Sequence, residues 1–194
     1  MSDPDYVWAV KNGKYLRRQV LKKWMFKKRP TKTIIVIDNR DKCDNHGGKV
    51  VKSIQLPDEN WIKEGYSEIL FRHLLKHHQQ HPKLPIFLIF HCMESVRRGP
   101  RCAKRFEEFM ATIEVKFDYS IRVLEGGGDQ WVRNYYSNSL LVEKYDDKIW
   151  GFIEFPILND NRYGYRGHKG YVRPTDQVAT EWSAAGSAVQ NGAN

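Results

Sequence analysis

Cysteine is scarce in this chain, and its scarcity sets the first limits. Three cysteines among 194 residues, Cys43, Cys92 and Cys102, are too few and too unevenly spaced for a disulfide framework. No Cys-x-x-Cys pair occurs, which argues against a zinc ribbon or finger. There is no N-terminal apolar signal segment and no apolar run long enough to cross a bilayer. These features lead to the expectation of a reducing compartment, the cytoplasm or alternatively the nucleus, where thiols stay free for chemistry. Acidic residues are missing from 11 to 32, where ten Lys or Arg stand without a single Asp or Glu. A glutamate is also missing after His73. The histidines His73, His77, His78 and His81 have the four-residue spacing that lets imidazoles share a metal, but not the His-Glu-x-x-His pattern of zinc hydrolases. They read as a solvated helix end, and no metal site is expected.

What is present is a basic, core-forming chain. The hydrophobic fraction is 41% and the net charge +9, enough for a real core and a surface that favours anionic partners. "KKWMFKKRP" reads as a solvated helix face and linker before it reads as a nuclear address or a docking site for an acidic partner. "RYGYRGHKGYVRP" interleaves Tyr with basic residues, a composition that can stack on RNA. Loop packing is the plainer reading, and a nucleic-acid partner is not expected.

Along the chain, 6–10 suggests a short strand and 13–26 a basic amphipathic helix. Residues 31–38 ("TKTIIVID") and 85–90 ("PIFLIF") are short apolar runs typical of buried strands. Residues 47–57 read as a turn, a short strand and a proline exit. Helices are expected over 63–80, over 99–110 with Pro100 in the first turn, and over 129–136 with Asp129 as its cap. A strand over 121–127 ends in glycines. This alternation predicts an α/β fold with a mostly parallel central sheet flanked by helices, and a ligand site outside the carboxyl ends of the strands. A hairpin over 139–155, turning at Asp146 and Asp147, and a basic-aromatic loop over 159–174 form a C-terminal extension (138–182). Residues 183–194 are small and polar and are expected to be a disordered tail.

The stretch "FHCMESVRRGP" (90–100) carries the chemistry. It follows the run at 85–90 and enters the helix at 99–110, so Cys92 lies at a helix N-terminus, where unpaired N–H groups stabilise an anion or a thiolate. Met93, Glu94, Ser95, Val96 and Arg97 would curl around the sulfur with their N–H groups inward, forming an anion cradle. Arg98 would close the ring with a fork of donors for a tetrahedral oxyanion. Glu94 within the loop, and Asp38 and Asp41 at the neighbouring strand end, are candidate general acids. Asp38 and Arg40 could instead pair to hold the loop ends. The competing reading of Cys92 is a buried structural cysteine.

"HCMESVRRGPRCAKRF" resembles the His-Cys-five residues-Arg-Gly-Pro loop of rhodanese-fold cell-cycle-type dual-specificity phosphatases and eukaryotic arsenate (antimonate) reductases. "VIDNRD…GGKVVKSIQLP" and "VLEGGGDQW" resemble flanking motifs of the same group, in the same order. The resemblance covers about residues 6–137 and implies a rhodanese-like catalytic domain. It makes Cys92 the nucleophile, Arg98 the oxyanion-binding arginine, 93–97 the cradle and His91 a support of the loop.

There are departures from the pattern. Arg97 permits a shorter count, Cys-four residues-Arg, as in sulfurtransferases, although Gly99-Pro100 fits the longer loop. Asn39 stands where the cell-cycle phosphatases place a cysteine that protects the nucleophile as a disulfide, which leaves Cys102 and Cys43 as candidate resolving thiols. The resulting expectation is a thiolate enzyme for a small oxyanion or a phosphorylated protein. Arsenate reduction is favoured, with no bound cofactor and with glutathione or a glutaredoxin as co-substrate. Tyrosine or dual-specificity phosphatase activity, sulfur transfer, and a weakly catalytic module holding a phosphoprotein or RNA are the alternatives.

Overall fold

The computed structural model describes residues 3–28, 30–41, 44 and 47–146. Asp3 opens the first helix, α1 (Pro4–Lys11). Its carboxylate accepts from the N–H of Asp5 at 3.0 Å, and Pro4 sits at the first helical position, where a missing N–H costs nothing. The strand expected over 6–10 is therefore a helix. Tyr6 and Ala9, three residues apart, are its buried face, and the cap lies just upstream. The helix expected over 13–26 divides into β1 (Tyr15–Leu16) and α2 (Arg18–Met25), because 15–16 are drawn into the sheet.

There follow β2 (Thr33–Asp38), β3 (Lys49–Val50), β4 (Ile54–Gln55), a 3-10 turn over Asp58–Asn60, α3 (Tyr66–Gln80) and β5 (Ile86–His91). The chain continues through α4 (Arg98–Ala111), β6 (Tyr119–Leu124), α5 (Gly127–Tyr135) and β7 (Val142–Glu143).

Five strands form one parallel sheet in the order β1-β6-β5-β2-β4. The centre is β5. Both its faces are covered, which is why its sequence is a nearly unbroken apolar run. On one face Phe90 packs against Phe106 of α4 and against Trp61, each with ring centroids 6.0 Å apart, while Leu70 and Leu74 bring α3 into the same core. On the other face Phe87 meets Trp24 of α2 at 4.9 Å, and His91 meets the start of α5. Of the late histidines of α3, His73 is exposed and His78 stacks on Phe117. Among the described residues no helix is long and apolar enough to cross a membrane.

The segment just past residue 137 is joined to this body. β7 pairs antiparallel with β3, Leu141 and Val142 are buried, and the Trp131 indole donates to Leu141 O at 2.9 Å. The rest of the expected hairpin, the 159–174 loop and the tail lie outside the described residues.

Candidate active site

Parallel strands all end on the same edge, so the ends of β2 at Asp38, β5 at His91 and β6 at Leu124 are brought side by side. The loop 92–97 leaves β5 there and enters α4 at Arg98. Cys92 is 4% exposed, and the N–H of Ser95 donates to its Sγ at 3.2 Å. Ser95 turns the loop through a left-handed conformation, φ +59°, unusual for a residue with a Cβ.

Two of the loop's carbonyls are held by α5, and the N–H groups of the same peptides point the opposite way. In a trans peptide the C=O and the following N–H point in opposite directions, and none of the described peptide bonds is cis. Cys92 O accepts from the N–H of Gly128 at 2.8 Å, and Met93 O from the N–H of Asp129 at 2.9 Å. Those two donors are first-turn amides of α5, which have no partner within their own helix. The same two bonds therefore cap α5 and turn the N–H groups of Met93 and Glu94 away from that helix. Close approach of α5 requires glycine. Gly127 has φ +60°, and a Cβ on it would collide with Met93 O. Gly99 plays the same part for α4, since a Cβ there would stand 3.2 Å from the Cys92 nitrogen. Asp129, expected as a cap, is instead buried in the first turn of α5 and bound to Arg133, because Met93 O already serves the helix end.

Arg98 and Arg97 differ sharply. Arg97, at the N-cap of α4, is 78% exposed in its side chain and comes only within 4.0 Å of Asp3. Arg98 is partly buried, and its Nη1 donates to Asp41 at 2.6 Å and to Asp44. Burial opposes its charge, but the hydrogen bonds to Asp41 and Asp44 and the field of Cys92 outweigh that and raise its pKa. The guanidinium thus lies within electrostatic reach of the sulfur and is held by two carboxylates.

Asp38, a candidate acid in the sequence, is fully buried and chelated by Arg40, whose Nη2 donates to it at 2.7 Å and whose Nε lies at 3.0 Å. Burial alone would raise its pKa. The His91 and Arg40 interactions prevail and lower it, so Asp38 is held as a carboxylate and has no surface from which to deliver a proton. The pair holds the end of β2, with Arg40 reaching on to Gly48 O at 3.1 Å. His91 is wholly buried, and burial pushes its pKa below the ordinary value against the pull of Asp38. Its Nδ1 lies 3.2 Å from Cys92 O, an acceptor, so Nδ1 carries a proton and braces the loop. Asn39 is buried too, and its amide donates to Leu56 O at 2.9 Å.

Cys102 lies on the inner face of α4, fully buried, with its thiol donating to Asp58 at 3.2 Å. Burial and the Asp58 carboxylate push its pKa well up, so Cys102 is a protonated core thiol. Cys43 lies outside the described residues. Glu94 is half-buried within the loop. Among the described residues no group of three metal-binding side chains comes together. Three contributors were not singled out by sequence: Tyr15, whose hydroxyl donates to Ser95 O at 2.7 Å, Asp44 on Arg98, and the α5 amides. Only the last left a signal, in the triple glycine 126–128.

A parallel sheet whose central strand delivers a cysteine into a loop at a helix start is the architecture of the rhodanese fold. No protein-family model matches the chain, and no curated protein matches it. Solved structures do. The yeast protein Ygr203w, described as a protein tyrosine phosphatase of the rhodanese family, is 24% identical over 70% of this chain and 95% of its own, with a TM-score of 0.62. A second crystal structure of Saccharomyces cerevisiae Ygr203w, described as a homologue of single-domain rhodanese and the Cdc25 phosphatase catalytic domain, gives the same identity and TM-score over 74% and 95%. The As-Sb reductase from Leishmania major is 24% identical over 66% of this chain and 83% of its own, with a TM-score of 0.46. The chain has the rhodanese fold.

Proposed function

We propose that this protein is a cysteine-dependent enzyme acting on tetrahedral oxyanions. The observation that carries the reading is Cys92 Sγ accepting the Ser95 N–H inside the loop that ends β5, with Arg98 at its closing end. The amides and the arginine together supply several donors for the equatorial oxygens of an anion whose central atom faces the sulfur. In the first step the thiolate of Cys92 forms a bond to phosphorus or arsenic as one oxygen departs with a proton.

Arsenate is the favoured substrate. Its displaced oxygen leaves as water after taking up protons. A glutathione thiolate then attacks the Cys92 sulfur, the S–As bond pair stays on arsenic as As(III), and a second thiol, from glutathione or a glutaredoxin, reduces the mixed disulfide. This route takes its second thiol from outside and suits a site where Asn39 is tied to Leu56 O and Cys102 is a protonated core thiol.

Phosphoester hydrolysis is the second reading. In that case the leaving alkoxide needs a proton, and water then cleaves the phosphocysteine. It is favoured by Asp41, the one candidate strand-end acid that stands against Arg98, and by the similarity to a yeast protein described as a tyrosine phosphatase. Sulfur transfer through a persulfide on Cys92 is disfavoured by the longer loop.

The deciding experiment is turnover of arsenate with glutathione and glutaredoxin beside hydrolysis of a phosphotyrosine peptide and thiosulfate:cyanide transfer, on one preparation of the full chain. Arsenate reduction is the expected result. Peptide hydrolysis without it would establish the phosphatase, and neither activity would reject the oxyanion reading.

The two carboxylates on Arg98 make separable predictions. Asp44→Asn removes a competitor for the guanidinium, so inorganic phosphate should inhibit about two- to fivefold more tightly, the factor for roughly 0.5–1 kcal/mol at a partly exposed pair. Asp41→Asn should tighten phosphate similarly but also lower kcat with aryl phosphates if Asp41 protonates the leaving group. Competitive inhibition constants measured against kcat separate the two effects, and an unchanged phosphate constant in both variants would dismiss the competition.

A further inference from the structure

We infer that Tyr15 is a positioning residue for the anion cradle: its hydroxyl fixes a peptide at the loop's crest beyond the two that α5 holds. The inference rests on the oxyanion reading above and extends it to a residue 80 positions away in sequence. The loop carbonyls of Cys92 and Met93 are turned outward by α5 amides. The carbonyl of Ser95 lies beyond the reach of those two bonds and is taken instead by Tyr15, whose Oη donates to it at 2.7 Å. Ser95 O and the N–H of Val96 belong to the same planar peptide and point in opposite directions. Holding that oxygen outward therefore aims the Val96 N–H inward, beside the Ser95 N–H that already binds Cys92 Sγ.

The peptide needs an external hold because of its conformation. Ser95 has φ +59°, a region that costs a residue with a Cβ free energy unless its surroundings impose it. Its side chain does not help, since Ser95 Oγ is buried and makes no hydrogen bond among the described residues. Tyr15 is well placed to supply the constraint. It sits on β1, in register with Val123 of β6, so the sheet fixes its backbone, and its ring lies against that of buried Tyr6 with centroids 6.1 Å apart. A rigid aromatic lever from the sheet edge thus ends in a single directed hydroxyl.

Tyr15→Phe deletes that hydroxyl and keeps the ring. The test uses the full chain, alkylation of Cys92 by iodoacetamide, and inorganic phosphate and arsenate as protecting anions. Loss of one inward donor to a charged acceptor should raise the half-protecting anion concentration about tenfold, while the thermal midpoint stays within about 4 °C of wild type. A merely structural role would lower the midpoint and leave anion protection unchanged. Wild-type and Tyr15→Phe protein protected at the same concentration would overturn the assignment of Tyr15 and leave the oxyanion reading standing. A wild-type protein that phosphate and arsenate do not protect would overturn both.

Discussion

Cys92→Ser is expected to abolish turnover under the proposed oxyanion chemistry, by a factor on the order of 10⁴ or more, the scale seen when a catalytic nucleophile is deleted. The hydroxyl is nearly isosteric with the thiol but does not ionise near neutral pH, so nucleophilicity goes and volume stays. The site is suited to this test because its frame is independent of the sulfur. The loop is held by Gly128, Asp129, His91 and Tyr15, all of which bond backbone carbonyls. Among the described residues the Ser95 N–H bonds the sulfur itself, and an alcohol oxygen can accept it. The fold should therefore persist. Steady-state rates with arsenate or aryl phosphate, set beside thermal unfolding of the same sample, check both halves. A variant that kept wild-type turnover would return Cys92 to the role of a buried core residue, and the function would have to be sought elsewhere on the molecule.

The parts of this design that were legible in the sequence are those written in contiguous residues. The runs at 31–38 and 85–90 become the central strands β2 and β5, displaced by no more than two residues, because a strand covered on both faces needs little more than a short apolar run. The loop 92–97 and the helix beginning beside Gly99 and Pro100 are likewise local, and the same is true of the pairing of Asp38 with Arg40. What escaped reading depends on contacts between distant segments, or on a local signal outweighed by a stronger one. Val7, Trp8 and Val10 suggested a strand, but Asp3 and Pro4 start a helix before them. Asp129 has the chemistry of a cap, yet the end of α5 is served by a carbonyl from residue 93. The pairing of β3 with β7 joins positions more than 90 residues apart, so the start of the expected extension packs into the domain. Tyr15 belonged, on sequence, to the polar end of a basic helix. Nothing in its neighbours announced that its hydroxyl would meet residue 95.

Arg98→Lys should cost about 10²–10³-fold in kcat, the loss found when one preorganised oxyanion donor is removed, while Arg97→Lys should change it by less than about threefold, as expected of an exposed charge. The sequence permits either arginine to close the loop, since Cys92 is followed by Arg after four residues and again after five. The structure separates them by position. Arg97 projects into solvent at the N-cap of α4. Arg98 opens the first turn, partly buried, within the field of Cys92 and held by Asp41 and Asp44. Lysine at 98 would keep the charge but offer a point donor where two parallel N–H groups are needed, and its compact ammonium is the more strongly hydrated. The deficit should fall on kcat more than on KM, because the donors matter most when charge gathers on the equatorial oxygens of the transition state. Matched kcat and KM values for the two variants are the measurement. A large loss at 97 with little at 98 would instead place the anion in the shorter, sulfurtransferase-like loop, and equal losses would mean that both guanidinium groups contact the substrate.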